Sequence, residues 1–150
     1  MSAENNAKSL GIEFPEFPAK PDTEPYLNMC YQSSNLFFSS GHVSTLKGKL
    51  GADVTVDQAY DAAREVAVKI LQSLRQKVDS LDKVRVVKLL GCVNSTPDFI
   101  EQHKVINGAS DLFHEIFDKK GDGFHARSAV GFASLPTGVA VEIEAIFELK

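Results

Sequence analysis

The sequence predicts a single α+β domain in which two amphipathic helices cover one face of a mostly antiparallel sheet. Three observations lead there: a capped stretch with apolar residues at helical spacing after residue 55, a β-branched run at residues 84–93, and a C-terminal segment in which apolar and acidic residues alternate. At 150 residues, 43% hydrophobic and 24% charged, the chain has ordinary globular composition.

A domain of this size buries roughly 70% of its unfolded surface, so it needs neither disulfides nor metals for stability. Cys30 and Cys92 lie far apart with no C-x-x-C pair, and both are read as buried thiols. No run approaches the ~20 apolar residues of a membrane span, and the polar first ten residues do not form a signal peptide. The expectation is a cytoplasmic or soluble-organelle protein with no membrane partner. Lys and Arg total 16 against 20 Asp and Glu, a net charge of -4 with no basic block. That disfavours nucleic acid as a partner.

Residues 1–25 carry Pro15, Pro18, Pro21 and Pro25 and read as an extended arm, with Phe14 and Phe17 placed to pin it to a domain spanning residues 26–150. Residues 26–31 and 35–40 form a predicted hairpin across Gln32, Ser33 and Ser34, followed by a loop over residues 42–53. Thr55 and Gln58 make a capping box. From there Ala59, Ala62, Ala63, Val66, Ile70 and Leu74 recur on one stripe to about residue 78. Residues 84–93 are a central strand. Ser95-Thr96-Pro97-Asp98 suits the start of a second helix running to Phe117.

Two strands, about residues 127–134 and 139–149, are expected to close the chain as a hairpin across Leu135-Pro136-Thr137-Gly138. In the last strand Val141, Ile143, Ala145 and Phe147 should face the helices, while Glu142, Glu144, Ile146 and Glu148 face away. The second face would lie half open, which suggests a partner subunit covering it.

Arg127 stands where a glycine-containing loop enters a strand, so its planar fork projects from a rigid element and suits a carboxylate. An arginine so placed can equally pair with a structural glutamate. His42 and His125 could serve as acid or base groups but also suit polar loops, and His103 and His114 suit the surface or packing of the second helix. No histidine pair has ligand spacing with a carboxylate, so no metal is expected. Walker, G-x-G-x-x-G and G-x-S-x-G motifs are missing, and no cofactor is expected.

Ala126-Arg127-Ser128, Leu135-Pro136 and Val141-Glu142-Ile143-Glu144-Ala145-Ile146, with Asn35-Leu36-Phe37-Phe38-Ser39-Ser40-Gly41 upstream, resemble the signature of the Rid family. These are the reactive-intermediate deaminases, also called YjgF-like or L-PSP proteins. The stretches around Asn107-Gly108-Ala109-Ser110 and His125-Ala126-Arg127 are closer to a longer YjgF-like branch.

The resemblance implies a chorismate-mutase-like fold, a homotrimer with clefts between subunits, and hydrolytic deamination of small carboxylate-bearing enamines or imines to a 2-keto acid and ammonia. Arg127 would hold the carboxylate and Glu142 would orient or deprotonate water, with Glu144 its neighbour to rule out. Tyr26, Ser40, Gly41 and a second-helix asparagine would line the cleft; Asn107 and Ser110 compete for that last position. The family's cysteine two residues after the arginine is Ala129 here. The other readings are a non-catalytic module for a small carboxylate metabolite, and an endoribonuclease.

Overall fold

A computed structural model describes residues 2–18 and 26–150. The strands are β1 (Cys30–Ser33), β2 (Leu36–Ser39), β3 (His42–Val43), β4 (Val84–Asn94), β5 (Ala126–Phe132) and β6 (Val141–Leu149). The helices are α1 (Ala3–Ser9), α2 (Val56–Arg75) and α3 (Gln102–Phe117). The strands form one sheet in the order β1-β2-β6-β4-β5, with β3 added to β6. All pairings are antiparallel except β4 with β5, which is parallel.

The expected C-terminal hairpin is therefore not formed. β5 and β6 are both neighbours of β4 and not of each other. Asn94 is in register with Phe132 and Val93 with Val141, so the short turn after β5 carries the chain across the end of β4. The physical reason is burial. β4 contributes Val84, Val86, Leu89 and Val93 to the core and takes a central place, whereas no residue of β5 is fully buried and the strand sits at the edge. The parallel pairing needs a crossover, and α3 supplies it.

The helices lie on one face, as the stripe in α2 and the alternation in β6 required. Phe37, Leu89, Val93, Ile143 and Phe147 are fully buried beneath Ala63, Val66, Ile70, Ile106 and Phe113. Thr55 and Gln58 complete the capping box of α2. The hairpin of β1 and β2 turns at Ser34 and Asn35, and Ser34 takes the left-handed φ of 55°. The segment expected to be wholly loop includes β3 and a bridge from Leu50 to Ser95.

Two boundaries differ from expectation. α3 starts at Gln102, and Glu101 caps it without a side-chain bond. Ser95 and Thr96 do not cap it: backbone bonds to the Phe132 and Leu50 carbonyls hold them at the sheet end, more than a helical turn ahead of Gln102. At the N-terminus, α1 replaces the first part of the expected extended arm: Ser2 caps it by accepting from the Asn5 amide. Glu4 then pairs with buried Arg75 at 3.3 Å and accepts from the Leu81 amide at 3.0 Å, while Asn6 donates to the Ile116 carbonyl. Phe14 packs under the Arg75 guanidinium, as a pinning residue should, but Phe17 is largely exposed. Pro21 and Pro25 lie outside the described residues.

α2 and α3 cross where Gly108 meets the Tyr60 carbonyl, and a Cβ at position 108 would collide with that backbone oxygen. Backbone cannot move aside as a side-chain tip can. Gly108→Ala is expected to lower stability by roughly 1–3 kcal/mol, read as the shift of the urea midpoint at unchanged m-value.

Candidate functional site

β5 places Arg127 opposite Leu89 of β4, and Leu89 is buried on the helix side, so Arg127 points towards α3. There its Nη1 donates to Asn107 Oδ1 at 2.8 Å and to Ser110 Oγ at 3.2 Å. The two residues that competed for one place in the sequence both hold the same guanidinium, one helical turn apart. Among the described residues Arg127 forms no salt bridge, so it is not the structural pair that its sequence context also allowed. The nearby carboxylate, Asp111, accepts from the Tyr60 hydroxyl at 2.7 Å. Burial lowers the Arg127 pKa from the ordinary arginine value, and Asp111 opposes that shift.

Ser110, itself buried, lies 3.0 Å from Nε2 of His125, whose Nδ1 lies 2.6 Å from the Gly123 carbonyl. His125 stacks edge-on against Phe113 and lies 5.4 Å from the ring of His114. Burial lowers the pKa of His125, with His114 and Arg127 adding to the shift. Sequence reasoning left His125 between a polar loop residue and an acid or base. The available signal was its position two residues before Arg127.

Glu142 lies on the other side of the sheet. Its register partners are Cys92 and Val43, and it shares the helix-free face with Glu144, Ile146 and Glu148. Burial, with Glu144 adding, raises its pKa above the usual carboxylate value. Its carboxylate rests against Gly41 where any side chain at position 41 would collide with it. Ser40 precedes that glycine and donates to the Asn28 carbonyl at 2.6 Å.

Within one chain the predicted residues thus form two groups on opposite faces: Arg127, Asn107 and Ser110 beside α3, and Glu142 with Ser40 and Gly41 on the open face. Tyr26 joins neither, being 93% exposed ahead of β1. A cavity of about 510 Å³ lies elsewhere, between Lys49, Thr96, Phe99, Gln102 and Gly131. None of the predicted residues lines it. Cys30 is buried and Cys92 half-buried; both are free thiols pushed by burial up to about 11.

A family model described as "YjgF/chorismate_mutase-like, putative endoribonuclease" matches residues 4–141. The chain belongs to the YjgF family, also called Rid. Protein TCP17 of Trypanosoma cruzi is 41% identical over 152 residues, spanning 97% of this chain and 92% of its own length. The crystal structure of protein Atu1372 from Agrobacterium tumefaciens superimposes with a TM-score of 0.84 at 39% identity, covering 99% of this chain and 94% of that one. A structure from Shewanella oneidensis, called a "putative endoribonuclease", has a TM-score of 0.86 at 26% identity and covers 99% of this chain and 100% of its own. The α+β fold with three helices and a mixed sheet is that of the YjgF family. No helix among the described residues is long and apolar enough to cross a membrane.

In this YjgF chain His42 is a core residue. It is 4% exposed; its Nδ1 donates to the Ser40 carbonyl at 2.7 Å and its Nε2 accepts from the Ser73 hydroxyl at 2.8 Å. Burial lowers its pKa. The unfolded chain therefore takes up the proton first, so stability rises with pH across this titration. His42 contributes fully above an unfolded pKa of about 6.5, and its contribution falls as pH drops from there towards the lowered folded pKa. Comparing urea midpoints at pH 7.5 and 5.5, the loss on acidification should be smaller in His42→Gln than in the wild type. Part of the loss should persist, because His114 and His125 shift the same way.

Proposed function

We propose that the protein hydrolyses small carboxylate-bearing enamines or imines to a 2-keto acid and ammonia, at a cleft completed by a second copy of the chain. The observation that carries this reading is the Arg127 guanidinium: half-buried, held by the neutral acceptors of Asn107 and Ser110, and without a carboxylate partner among the described residues. A desolvated cation in that position favours an anion that fits its fork.

The open sheet face supports the second copy. It exposes Tyr31, Phe38, Val43, Val130 and Phe132, each between 37% and 60% accessible, around Glu142. An apolar area of that kind marks an interaction surface. Covering it would set Glu142, Ser40 and Gly41 of one chain against Arg127 of another, which one sheet cannot do with its own opposite faces. A homotrimer satisfies this with three equivalent clefts, the arrangement that family membership favours. Tyr26 would enter such a cleft only from its exposed position before β1.

The chemistry is short. The enamine tautomerises to the imine, and Arg127 holds the carboxylate so that the imine carbon is presented in one orientation. Glu142, with its raised pKa, accepts a proton from water as the water oxygen bonds to that carbon. Glu142 passes that proton to the nitrogen, then takes the proton of the new hydroxyl and delivers it to the amine as the C–N bond breaks, so that ammonia leaves and the oxygen becomes the carbonyl. A second reading, carboxylate binding without turnover, has its own support: the arginine half of the site is complete within a single chain, whereas the glutamate half is separate. The net charge of -4 gives RNA cleavage no comparable footing.

With 2-aminoacrylate or its four-carbon homologue generated in situ by a dehydratase, the protein should accelerate keto-acid release. Arg127→Ala should abolish the acceleration and Glu142→Gln should reduce it by roughly 100-fold. Equal rates with and without protein, alongside stoichiometric binding of 2-ketobutyrate, would select the binding module. In sedimentation equilibrium the wild type should run at three times the 16.4 kDa chain mass. Phe38→Asp, which puts a charge on the open face, should give a folded monomer that has lost the activity with Arg127 intact.

A further inference from the structure

We propose that Ser110 and His125 are positioning residues for Arg127: they hold one amino group of the guanidinium and leave its Nε–Nη2 edge as the surface offered to a carboxylate. The inference rests on the carboxylate-anchor reading of Arg127 given above and specifies how that anchor is aimed.

The hydrogen-bond polarity follows from one end of the chain of contacts. The Gly123 carbonyl can only accept, so His125 Nδ1, 2.6 Å away, carries the proton. In a neutral imidazole Nε2 is then bare and must accept, and the group 3.0 Å from it is the Ser110 hydroxyl. Ser110 therefore donates to His125 and keeps its oxygen lone pairs for the Arg127 Nη1 donor at 3.2 Å. The second hydrogen of Nη1 goes to Asn107 Oδ1 at 2.8 Å. Both hydrogens of that amino group are spent. Nε and Nη2 have no acceptor among the described residues, and together they form the side-on fork that binds a carboxylate through two parallel bonds.

The scaffold behind this relay is rigid. Ser110 is 5% exposed on α3, and His125 is held edge-on by Phe113 at 5.9 Å between ring centres. The relay also explains why a histidine stands two residues before the arginine, since from there its ring can reach back to Gly123 and inward to α3. His114 of α3 and Arg127 of β5 face the same imidazole and favour its neutral form, the one the polarity requires. Without the relay the guanidinium would still be anchored by Asn107, but it could turn about that single contact. A carboxylate would then meet a range of edges.

The wild-type protein gives the first test: ¹⁵N NMR of the histidine rings should show His125 as the Nδ1–H tautomer with a bare Nε2. The second is titration of 2-ketobutyrate by calorimetry into wild type, Arg127→Ala, Ser110→Ala, His125→Phe and His125→Gln. His125→Phe keeps the packing on Phe113 and removes the acceptor; His125→Gln restores an acceptor and a donor. Ser110→Ala and His125→Phe should bind roughly 5- to 10-fold more weakly, with faster exchange of the Arg127 Nη protons. His125→Gln should recover part of the loss, and Arg127→Ala should lose about 100-fold. An Nε2–H tautomer in the wild type would overturn the positioning role. So would wild-type affinity in Ser110→Ala and His125→Phe while Arg127→Ala loses binding. Undiminished binding by Arg127→Ala would instead overturn the carboxylate reading itself.

Discussion

β4 is the strand against which both β5 and β6, the carriers of Arg127 and Glu142, are registered. Antiparallel pairing with β6 places Cys92 opposite Glu142 and Gly91 opposite Ile143; parallel pairing with β5 places Leu89 opposite Arg127. Because side chains alternate along each strand, these registers decide which residues share a face. A slip of one residue in either ladder would move Arg127 into solvent or Glu142 into the core. Burial of Val84, Val86, Leu89 and Val93 holds β4 against such slips, and α3 sets the direction of β5.

That sidedness has an electrostatic consequence. The helix side carries a guanidinium with neutral partners, and the open side carries Glu142 and Glu144: burial raises the pKa of Glu142, with Glu144 adding, and of the Cys92 thiol, with both acids adding. One sheet keeps the cation and the acids apart. Charges of opposite sign would otherwise meet and neutralise each other, leaving a salt bridge where an anion could dock. The separation keeps Arg127 available, and the Ser110 hydroxyl and Asn107 amide of α3 hold it through neutral acceptors that leave its charge uncompensated.

Much of the architecture was legible locally. The Thr55 capping box, the apolar stripe of α2 and the alternation in β6 are contacts within a few residues of sequence, and each appears in the structure. Arg127 and Glu142 could also be singled out as candidates, because the signature around each is contiguous, whereas Asn107 and Ser110 competed for one position. α1 was hidden, since seven polar-rich residues with a single buried Ala7 show no apolar period; its anchor is Glu4 to Arg75, far apart in sequence. The late start of α3 was hidden for a related reason. Ser95 and Thr96 have good capping chemistry, but bonds to the Phe132 and Leu50 carbonyls, distant in sequence, hold them at the sheet end ahead of where the helix begins.

By itself the sequence determined α2, the central strand β4, the inward set of β6, the family and the arginine proposed as the anchor of the candidate site, all of which depend on neighbouring residues or a short signature. Only the tertiary structure decided that β5 lies parallel to β4, that Arg127 and Glu142 occupy opposite faces, and that Ser110 and His125 stand behind the guanidinium. Those facts depend on strand order and register, and these are set by which apolar surfaces compete best for burial across the whole chain. Alternation along one strand carries no information about the strand beside it.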